Sequence, residues 1–174
     1  MPTPIVSIVS KKRSGKTTLL EKLIPELSSR GYRVGTVKHD IHGFDIDHEG
    51  KDTWRHKQCG AATVAISSPW KLSLIKDVVQ EASLDDLVSA FFADVDLVLT
   101  EGYMRAEKPQ IEVFRSAAHQ QPLHVKGQSN ALIAVMSDVP VDLNVPNFDI
   151  NDIPALADFI ETRFLSSRKE RGGN

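Results

Sequence analysis

The hydrophobic positions along the chain change period several times, and each change marks a predicted element. Residues 5–9 form a short, β-branched apolar run, which is typical of a buried strand. Residues 17–29 then repeat leucine and isoleucine at helical spacing, and Pro25 within them predicts a kink or a local break. Gly31 is a natural helix terminator, and residues 34–38 predict a second strand.

The rest of the chain continues this alternation less strictly. Further strands are predicted at residues 62–67, 71–75, 95–100, 110–115 and 132–136. Further helices are predicted at residues 53–59, at 83–92, and from 151 or 152, with a proline in the first turn, to about 165. The polar and apolar positions of 110–115 alternate, which predicts a more exposed strand. The strands near 62–75 and at 110–115 are expected to form an antiparallel excursion, that is, antiparallel strands in an otherwise parallel fold. The predicted fold class is α/β, with a mostly parallel sheet flanked by helices.

Composition narrows the class of protein. The chain has 174 residues, 41% of them hydrophobic and 25% charged, which excludes a disordered chain, a collagen-like chain and a coiled coil. We expect one domain over residues 1–165 and a disordered tail at 166–174. The net charge of −2 gives no basic field to attract nucleic acid or a membrane surface, and the single cysteine, Cys59, excludes an internal disulfide. The first apolar run precedes a basic cluster, the reverse of a signal peptide, so we expect a cytoplasmic protein.

A phosphate-binding loop is predicted between the first strand and the first helix. Its residues are Ser10, Lys11, Lys12, Arg13, Ser14, Gly15, Lys16, Thr17 and Thr18. Backbone N–H groups at such a turn form an anion nest, and the helix N-terminus adds partial positive charge. Gly15 lets the backbone approach the phosphate, Lys16 is expected to reach the β- and γ-phosphates, and Thr17 is expected to bind Mg²⁺. Ser10 replaces the usual first glycine, which is costly if that position needs a positive φ. The cations at 11–13 either contact phosphate or an anionic substrate, or are solvated.

An acid that holds Mg²⁺ is expected at the end of a neighbouring strand. Asp96 begins the predicted strand 95–100, whereas Glu101 follows its carboxyl end, where ligands bind in open α/β sheets. Glu101 is therefore the predicted metal acid, and Gly102 leaves room for backbone or phosphate. The alternative is that Glu101 makes a local cap or salt bridge.

Residues 39–52 form a polar loop rich in histidine and aspartate. Lys38 and His39 lie nearest the sheet edge and are predicted to face a phosphate, and Asp45 and Asp47 are the acids predicted to be used. The loop is a switch that senses the γ-phosphate, a substrate platform, a separate metal site, or a solvated loop.

A base-reading carboxylate has one candidate. Guanine is usually read by an aspartate after a late strand, in the pattern Asn-Lys-x-Asp, and that pattern is absent. Asp138 follows strand 132–136 at about the same topological place. The alternative is an aspartate that initiates the turn before Pro140.

Five segments carry a resemblance to a known family: SKKRSGKTTLLEKLIPEL, VGTVKHDIHGFDIDHEGKDTWRHKQCGA, DLVLTEGY, AVMSDVP and FDINDIPALADFI. Together they span about residues 5–165 and resemble the MobB proteins of molybdenum cofactor biosynthesis. The resemblance implies a P-loop NTPase fold of the SIMIBI type, GTP binding with weak GTPase activity, and a homodimer. It also implies a partner, the MobA-type guanylyltransferase, which joins GMP to molybdopterin to make the guanine dinucleotide.

The same resemblance assigns roles to individual residues. It places the P-loop at Ser10–Thr17 and the Mg²⁺ acid at Glu101. The family's Lys-His pair and acidic loop fall on Lys38, His39, Asp45 and Asp47. Ser10 departs from the glycine that often begins the family's loop.

The sequence therefore predicts a GTP- and Mg²⁺-binding accessory protein for molybdopterin guanine dinucleotide synthesis, with Lys16, Thr17 and Glu101 as the catalytic residues. It takes molybdopterin or the finished dinucleotide as a further ligand. Strand 110–115 is a candidate edge for dimer pairing. Two other classes stay open. A small-molecule kinase needs an arginine-rich lid, and the arginines after the P-loop are sparse, at Arg55 and within 105–115. A binding module would hold an anionic pterin or nucleotide cofactor without hydrolysis.

Overall fold

A computed structural model describes residues 2–166 of the chain, and strands and helices alternate along them. The strands are β1 (Ile5–Val9), β2 (Val34–Lys38), β3 (Thr63–Ser67), β4 (Leu72–Lys76), β5 (Leu97–Glu101), β6 (Gln110–Phe114), β7 (Leu132–Ser137) and β8 (Asn147–Asp149). The helices are α1 (Lys16–Ser29), α2 (Asp52–Gln58), α3 (Leu84–Phe91) and α4 (Ile153–Ile160), and a π-helical turn at Glu161–Leu165 extends α4.

The strands form two sheets. The larger sheet has the order β2-β5-β1-β6-β7-β8, and all its neighbouring pairs are parallel. The smaller sheet is the antiparallel pair β3–β4. This confirms the predicted α/β class with a mostly parallel sheet, and it confirms the antiparallel excursion for the strands near residues 62–75.

The chain divides into two compact units. The first holds residues 2–39 and 84–166 and contains the six-stranded sheet with α1, α3 and α4. The second spans Asp40–Ser83 and contains α2 and the β3–β4 hairpin. Residues 2–166 hold no helix long and apolar enough to span a bilayer.

Helices cover both faces of the six-stranded sheet because its strands are apolar on both faces. On one face, α1 and α4 pack on the sheet. Their core residues include Leu23, Leu27 and Leu156, and those of the strands include Ile8, Leu99 and Ile111. On the other face, α3 packs Leu84 and Val88 against Ile5 and Val98. Burial of each such side chain contributes roughly 1.5–3 kcal/mol, so the two clusters hold the carboxyl ends of the strands in a fixed arrangement.

Helix α1 ends where the sequence predicts. Gly31 has a φ of +91°, its N–H bonds to the carbonyl of Ser28 at 3.0 Å, and the N–H of Tyr32 bonds to the carbonyl of Leu27 at 3.2 Å. This pair of bonds is a Schellman motif, which needs a left-handed residue at the position of Gly31. Of the predicted kink or local break at Pro25, the break is wrong, because α1 continues through Pro25 as one helix to Ser29.

The predicted strand at residues 110–115 is confirmed as β6, but its predicted exposure and antiparallel pairing are wrong. All five residues of β6 are buried, and β6 lies between β1 and β7 as a parallel strand, so it is neither an exposed edge nor part of the antiparallel excursion. Its polar side chains are bonded in the interior. Glu112 accepts from the backbone N–H groups of Leu123 and His124, and its Oε2 lies 2.8 Å from Nδ1 of His124. Gln110 bonds through Oε1 to Nε2 of the same histidine at 2.9 Å. Alternation therefore reflects buried and satisfied polar groups rather than exposure.

The end of the described chain combines a confirmed prediction with a missed element. Asp152 caps α4 by accepting from the N–H of Ala155 at 3.1 Å, and Pro154 lies in the first turn. Strand β8 was not predicted, since it is three residues long and none of them is fully buried. Of the predicted disordered tail, residues 167–174 lie outside the described residues.

Candidate functional site

The loop between β1 and α1 has the conformation of an anion nest. Two of its residues are left-handed, Arg13 with φ +64° and Gly15 with φ +98°, and Gly15 lies directly before the first residue of α1. Such alternation turns successive N–H groups towards one concavity, at the positive end of the helix. Ser14 is buried and donates its hydroxyl to the carbonyl of Lys11 at 3.1 Å, which fixes the loop from within. The predicted phosphate-binding loop therefore has the required backbone.

Ser10 fits this loop without strain. Among residues 2–166, the non-glycine residues with positive φ are Arg13, Tyr103 and Asn144, so Ser10 does not occupy the position that needs a glycine. Its hydroxyl donates to the carbonyl of Lys11 at 2.7 Å and accepts from Nζ of Lys16 at 3.0 Å. The serine thus holds the lysine ammonium at the mouth of the loop.

Thr17 and Glu101 meet at the start of α1. The hydroxyl of Thr17 lies 3.1 Å from Oε1 and 3.2 Å from Oε2 of Glu101. Glu101 ends β5, and β5 neighbours β1 in the sheet, so the carboxylate lies beside the loop. Asp96 lies at the opposite end of that strand, where its carboxylate accepts from the backbone N–H of Arg33 at 2.9 Å. The geometry favours Glu101 over Asp96 as the acid of the site.

These residues enclose a cleft of about 270 Å³, lined by Arg13, Gly15, Lys16, Thr17, Thr18 and Glu101. Two other loop residues, Lys11 through its ammonium and Lys12 through its backbone carbonyl, contact a segment outside the loop. Nζ of Lys11 donates to the carbonyl of Gln121 at 2.8 Å, and the carbonyl of Lys12 lies 2.7 Å from Nε2 of His119. Both partners belong to the β6–β7 connection, which we define as residues 115–131. This connection therefore lies against the phosphate loop.

Lys38, His39 and Gly102 lie at the same sheet edge as Glu101. Lys38 pairs with Glu101 in the β2–β5 register, and the N–H of His39 bonds to the carbonyl of Glu101 at 3.1 Å. The ring of His39 lies 4.7 Å from that of Tyr103, measured between centroids. Gly102 has a φ of +98°, and a Cβ there would lie 3.4 Å from Cβ of His39. A Cβ would find room there, so it is the positive φ, rather than crowding, that favours glycine at this position.

Asp45 and Asp47 belong to the second unit. Asp45 is exposed. Asp47 is anchored within its own loop, since its Oδ1 accepts from the N–H of His48 at 2.8 Å and from the hydroxyl of Thr53 at 3.2 Å. Its Oδ2 is buried and has no hydrogen-bond partner within residues 2–166. Across the part of the chain that the structure describes, no three acidic, histidine or cysteine side chains group as metal ligands.

Asp138 lies directly after β7 and fastens the start of the β6–β7 connection. Its Oδ1 accepts from the backbone N–H of Ser116 at 2.8 Å and its Oδ2 accepts from the hydroxyl of Ser116 at 3.1 Å. These bonds stabilise the charged carboxylate, and the nearby positive charge of Arg115 acts in the same direction. The pKa of Asp138 is therefore lowered, chiefly by the backbone N–H of Ser116.

The lowered pKa predicts an acid-sensitive contact. We expect the carboxyl carbon of Asp138, followed by NMR, to titrate below its ordinary pKa of 3.8. Because the native pKa is the lower one, the stabilisation is present above the unfolded value and is lost as the pH falls through the native value. In Ser116→Ala the backbone N–H remains and the hydroxyl is lost, so the titration midpoint should rise. A wild-type midpoint at or above 3.8 would contradict the assigned contact.

Arg115 is a candidate site residue that the sequence analysis missed. It follows β6 directly, and its guanidinium lies against the phosphate loop, where a Cβ on Gly15 would be 3.2 Å from Nε. Arg115 was missed because β6 was predicted to be an exposed edge strand. A residue that follows the carboxyl end of a central parallel strand is a candidate for the site, whereas one that follows an edge strand is not. The position of Arg115 after a strand that borders β1 is the signal that would have found it.

A parallel sheet with a strand–nest–helix unit at its centre, and an acid at the end of the adjacent strand, defines a P-loop protein of the α/β class. Residues 5–138 match the sequence model of a family described as molybdopterin guanine dinucleotide synthesis protein B, MobB. The match covers most of the chain, so the chain belongs to the MobB family.

Individual relatives agree with this assignment. The molybdopterin-guanine dinucleotide biosynthesis adapter protein of Escherichia coli K12 is 39% identical over 160 residues, which cover 90% of this chain and 91% of the relative. A crystal structure of molybdopterin-guanine biosynthesis protein B has a TM-score of 0.69 at 32% identity, and the match covers 91% of this chain and 98% of that one. The crystal structure of Bacillus subtilis MobB has a TM-score of 0.73 at 26% identity, covering 92% and 98%.

Proposed function

We propose that this protein is a GTP-binding adapter of molybdopterin guanine dinucleotide biosynthesis, which binds GTP with Mg²⁺ in the cleft and hydrolyses it slowly. The observation that carries the nucleotide part is the convergence of Lys16, Thr17 and Glu101 in one cleft at the nest. Membership of the MobB family supports the adapter part, since relatives are described as biosynthesis adapter proteins.

Phosphate binding follows from the loop and from Lys16. The N–H groups of the loop and the N-terminus of α1 offer donors and partial positive charge to phosphate oxygens. An ammonium has three donors, and within residues 2–166 one of those of Lys16 is bonded, to the hydroxyl of Ser10. The lysine can therefore take phosphate oxygens without leaving its serine.

The residues at the start of α1 fit a magnesium ion. Thr17 and Glu101 present hydroxyl and carboxylate oxygens 3.1 Å apart in the cleft, and oxygen is the ligand type that Mg²⁺ takes. Mg²⁺ is usually held by one or two protein oxygens together with substrate phosphates and water, so two protein groups suffice. When bound, the ion neutralises charge on the phosphates. Thr17 and Glu101 would hold it, directly or through water.

The lining of the cleft supports slow hydrolysis. Among the described residues that line the cleft, Glu101 is the one that carries a carboxylate, and this carboxylate would be occupied by Mg²⁺. Neither a glutamine nor a second carboxylate lines the cleft within residues 2–166 to orient an attacking water. The bound triphosphate would therefore persist long enough to act as a signal to a partner.

Guanine selection is assigned to Asp138. A carboxylate has about four lone-pair sites, and Ser116 uses one on each oxygen. The remaining sites can accept from N1–H and N2–H of guanine, while Ser116 keeps the carboxylate ionised and oriented. Adenine offers no matching pair of donors at these atoms.

Calorimetric titration with GTP and ATP, each with and without Mg²⁺, tests this function. We expect Mg²⁺-dependent binding that prefers GTP. The matched pair Thr17→Val and Thr17→Ser isolates the hydroxyl, so the magnesium dependence should be lost in the first and kept in the second. Equal affinity for ATP would contradict guanine selection. Phosphate transfer to a small acceptor faster than hydrolysis would favour a kinase, and binding of neither nucleotide would overturn the proposal.

The same proposal includes partners and a location. We place the protein in the cytoplasm, where it assists a MobA-type guanylyltransferase that works on molybdopterin. Co-precipitation of purified enzyme and adapter, with GTP or GDP present, tests whether the nucleotide controls the contact. Nucleotide-independent association would contradict control by the cleft.

We also propose a homodimer. The predicted edge at β6 is unavailable because that strand is central, whereas the β3–β4 hairpin exposes apolar side chains, among them Ile66, Trp70, Leu72 and Leu74. Trp70 is 92% exposed, which is unusual for so large an apolar residue. Sedimentation analysis should show a dimer that Trp70→Asp and Leu72→Asp dissociate. A monomeric wild-type protein, or a dimer that tolerates both substitutions, would overturn this interface.

A further inference from the structure

Arg115 occupies a place that no part of the proposed function uses. It follows the carboxyl end of β6, and β6 pairs with β1, whose end opens the phosphate loop. An ideal Cβ on Gly15 would lie 3.2 Å from Nε, 3.5 Å from Nη2 and 3.7 Å from Cζ of Arg115. The guanidinium is thus laid against the one loop residue that carries no side chain. A side chain at Gly15 would fill that space.

One donor of the guanidinium of Arg115 is buried and has no hydrogen-bond partner among the described residues. Nε of Arg115 is buried and makes no hydrogen bond within residues 2–166. A buried donor without an acceptor costs about 1–3 kcal/mol, and more for a charged group. The nearby carboxylate of Asp138 is bonded on both oxygens to Ser116 instead. A buried donor without a partner calls for an explanation, and an anion that binds beside it supplies one.

The surrounding contacts hold Arg115 in place before any ligand binds. On its C-terminal side, Ser116 is fastened by two bonds to Asp138. Further along the connection, His119 bonds to the carbonyl of Lys12 and Gln121 accepts from Lys11. The connection and the phosphate loop therefore form one packed body, and the arginine is positioned where they meet.

We propose that Arg115, which lies beside the cleft-lining Gly15, is a further phosphate-binding residue, which donates from its guanidinium to a polyphosphate seated on the nest at Gly15. This inference rests on the proposed nucleotide function. A planar guanidinium suits phosphate because it offers several donors in a fixed fork. The ligand class is a polyphosphate, supplied by GTP or by a free inorganic chain.

The test compares wild-type protein with Arg115→Met, Arg115→Lys and the control Arg33→Met. Arg33 is exposed, pairs with Asp94 and precedes β2, at the sheet end opposite the loop. Each protein is titrated calorimetrically with Mg²⁺–GTP and with Mg²⁺–tripolyphosphate. We expect Arg115→Met to weaken both ligands by about 10- to 100-fold, Arg115→Lys to recover part of the loss, and Arg33→Met to match wild type. A loss for GTP without a loss for tripolyphosphate would overturn a phosphate contact.

A second readout needs no stable variant. In wild-type protein the Nε–H signal of Arg115 should shift, and exchange more slowly with water, when either ligand saturates the cleft. An unchanged signal at saturation, or equal affinities of Arg115→Met and Arg33→Met, overturns the inference while leaving GTP binding intact. If wild-type protein binds tripolyphosphate but not GTP, the proposed nucleotide function fails and Arg115 is judged on tripolyphosphate alone. If it binds neither ligand, both proposals fall.

Discussion

Lys16→Ala is expected to reduce affinity for Mg²⁺–GTP by about 100- to 20,000-fold. Charge-assisted hydrogen bonds contribute about 1.5–3 kcal/mol each, and a lysine that reaches two phosphates makes two of them. Every 1.4 kcal/mol is tenfold in affinity, which gives the stated range. In the fold, the ammonium of Lys16 makes one hydrogen bond, to Ser10. Loss of this bond should cost little stability, so the melting temperature should change by at most about 2 °C. Calorimetry and thermal unfolding of the same samples measure both quantities.

The control for this loss is Lys22→Ala. Lys22 is exposed on the same helix, and its side chain makes only a long contact of 3.5 Å with Asn151. The two variants lose the same charge, so a general electrostatic effect would weaken binding equally in both. Nucleotide affinity that survives in Lys16→Ala would show that the nest alone binds the ligand, and it would move weight to a non-hydrolysing binding module.

Glu112→Ala is expected to destabilise the fold by about 3–5 kcal/mol, because it leaves several buried donors without an acceptor. The carboxylate is 1% exposed and accepts from two backbone N–H groups, those of Leu123 and His124, and from the ring of His124. For a domain of this size each kcal/mol shifts the melting temperature by roughly 2–4 °C, so a fall of about 6–20 °C should result. Urea unfolding gives the free energy directly.

Two further variants separate the mechanism from a general effect. Glu21→Ala removes an exposed glutamate from α1 and should change stability by less than about 0.5 kcal/mol. Glu112→Gln keeps one acceptor oxygen but turns an amide N–H towards donors, so its loss should be intermediate. Equal stability of Glu112→Ala and Glu21→Ala would show that the connection does not depend on this carboxylate.

The elements predicted correctly from sequence are those whose signals are local. The apolar run of β1, the helical spacing of α1 and the glycine after it depend on neighbours a few residues apart, and the structure confirms all three. The pairing of β3 with β4 follows from two short strands around a tight turn. Local sterics and periodicity decide these features, so one sequence suffices to find them.

Strand β6 shows why the rest could not be found. Gln110 and Glu112 alternate with apolar residues and imitate a half-exposed strand, but their acceptors are satisfied by His124, far along the chain. Nothing local announces that a later histidine will cover them. The same error caused Arg115 to be missed. The backbone φ of Ser10 depends on the three-dimensional conformation of the loop, which the sequence does not give. In the site, the chemical types were predictable, whereas the tertiary contacts that position them were not.

The position of β1 at the middle of its sheet has a consequence for biosynthesis of the chain itself. Ile5 pairs with Val98, and Ser7 pairs with both Thr100 and Gln110, so β1 is made long before the two strands that flank it. At about 5–20 residues per second, the ribosome leaves this apolar strand unpaired for on the order of 5–20 s. We expect it to be a target for trigger-type holding chaperones during that interval, and the nascent chain to gain its phosphate loop only after β6 has emerged.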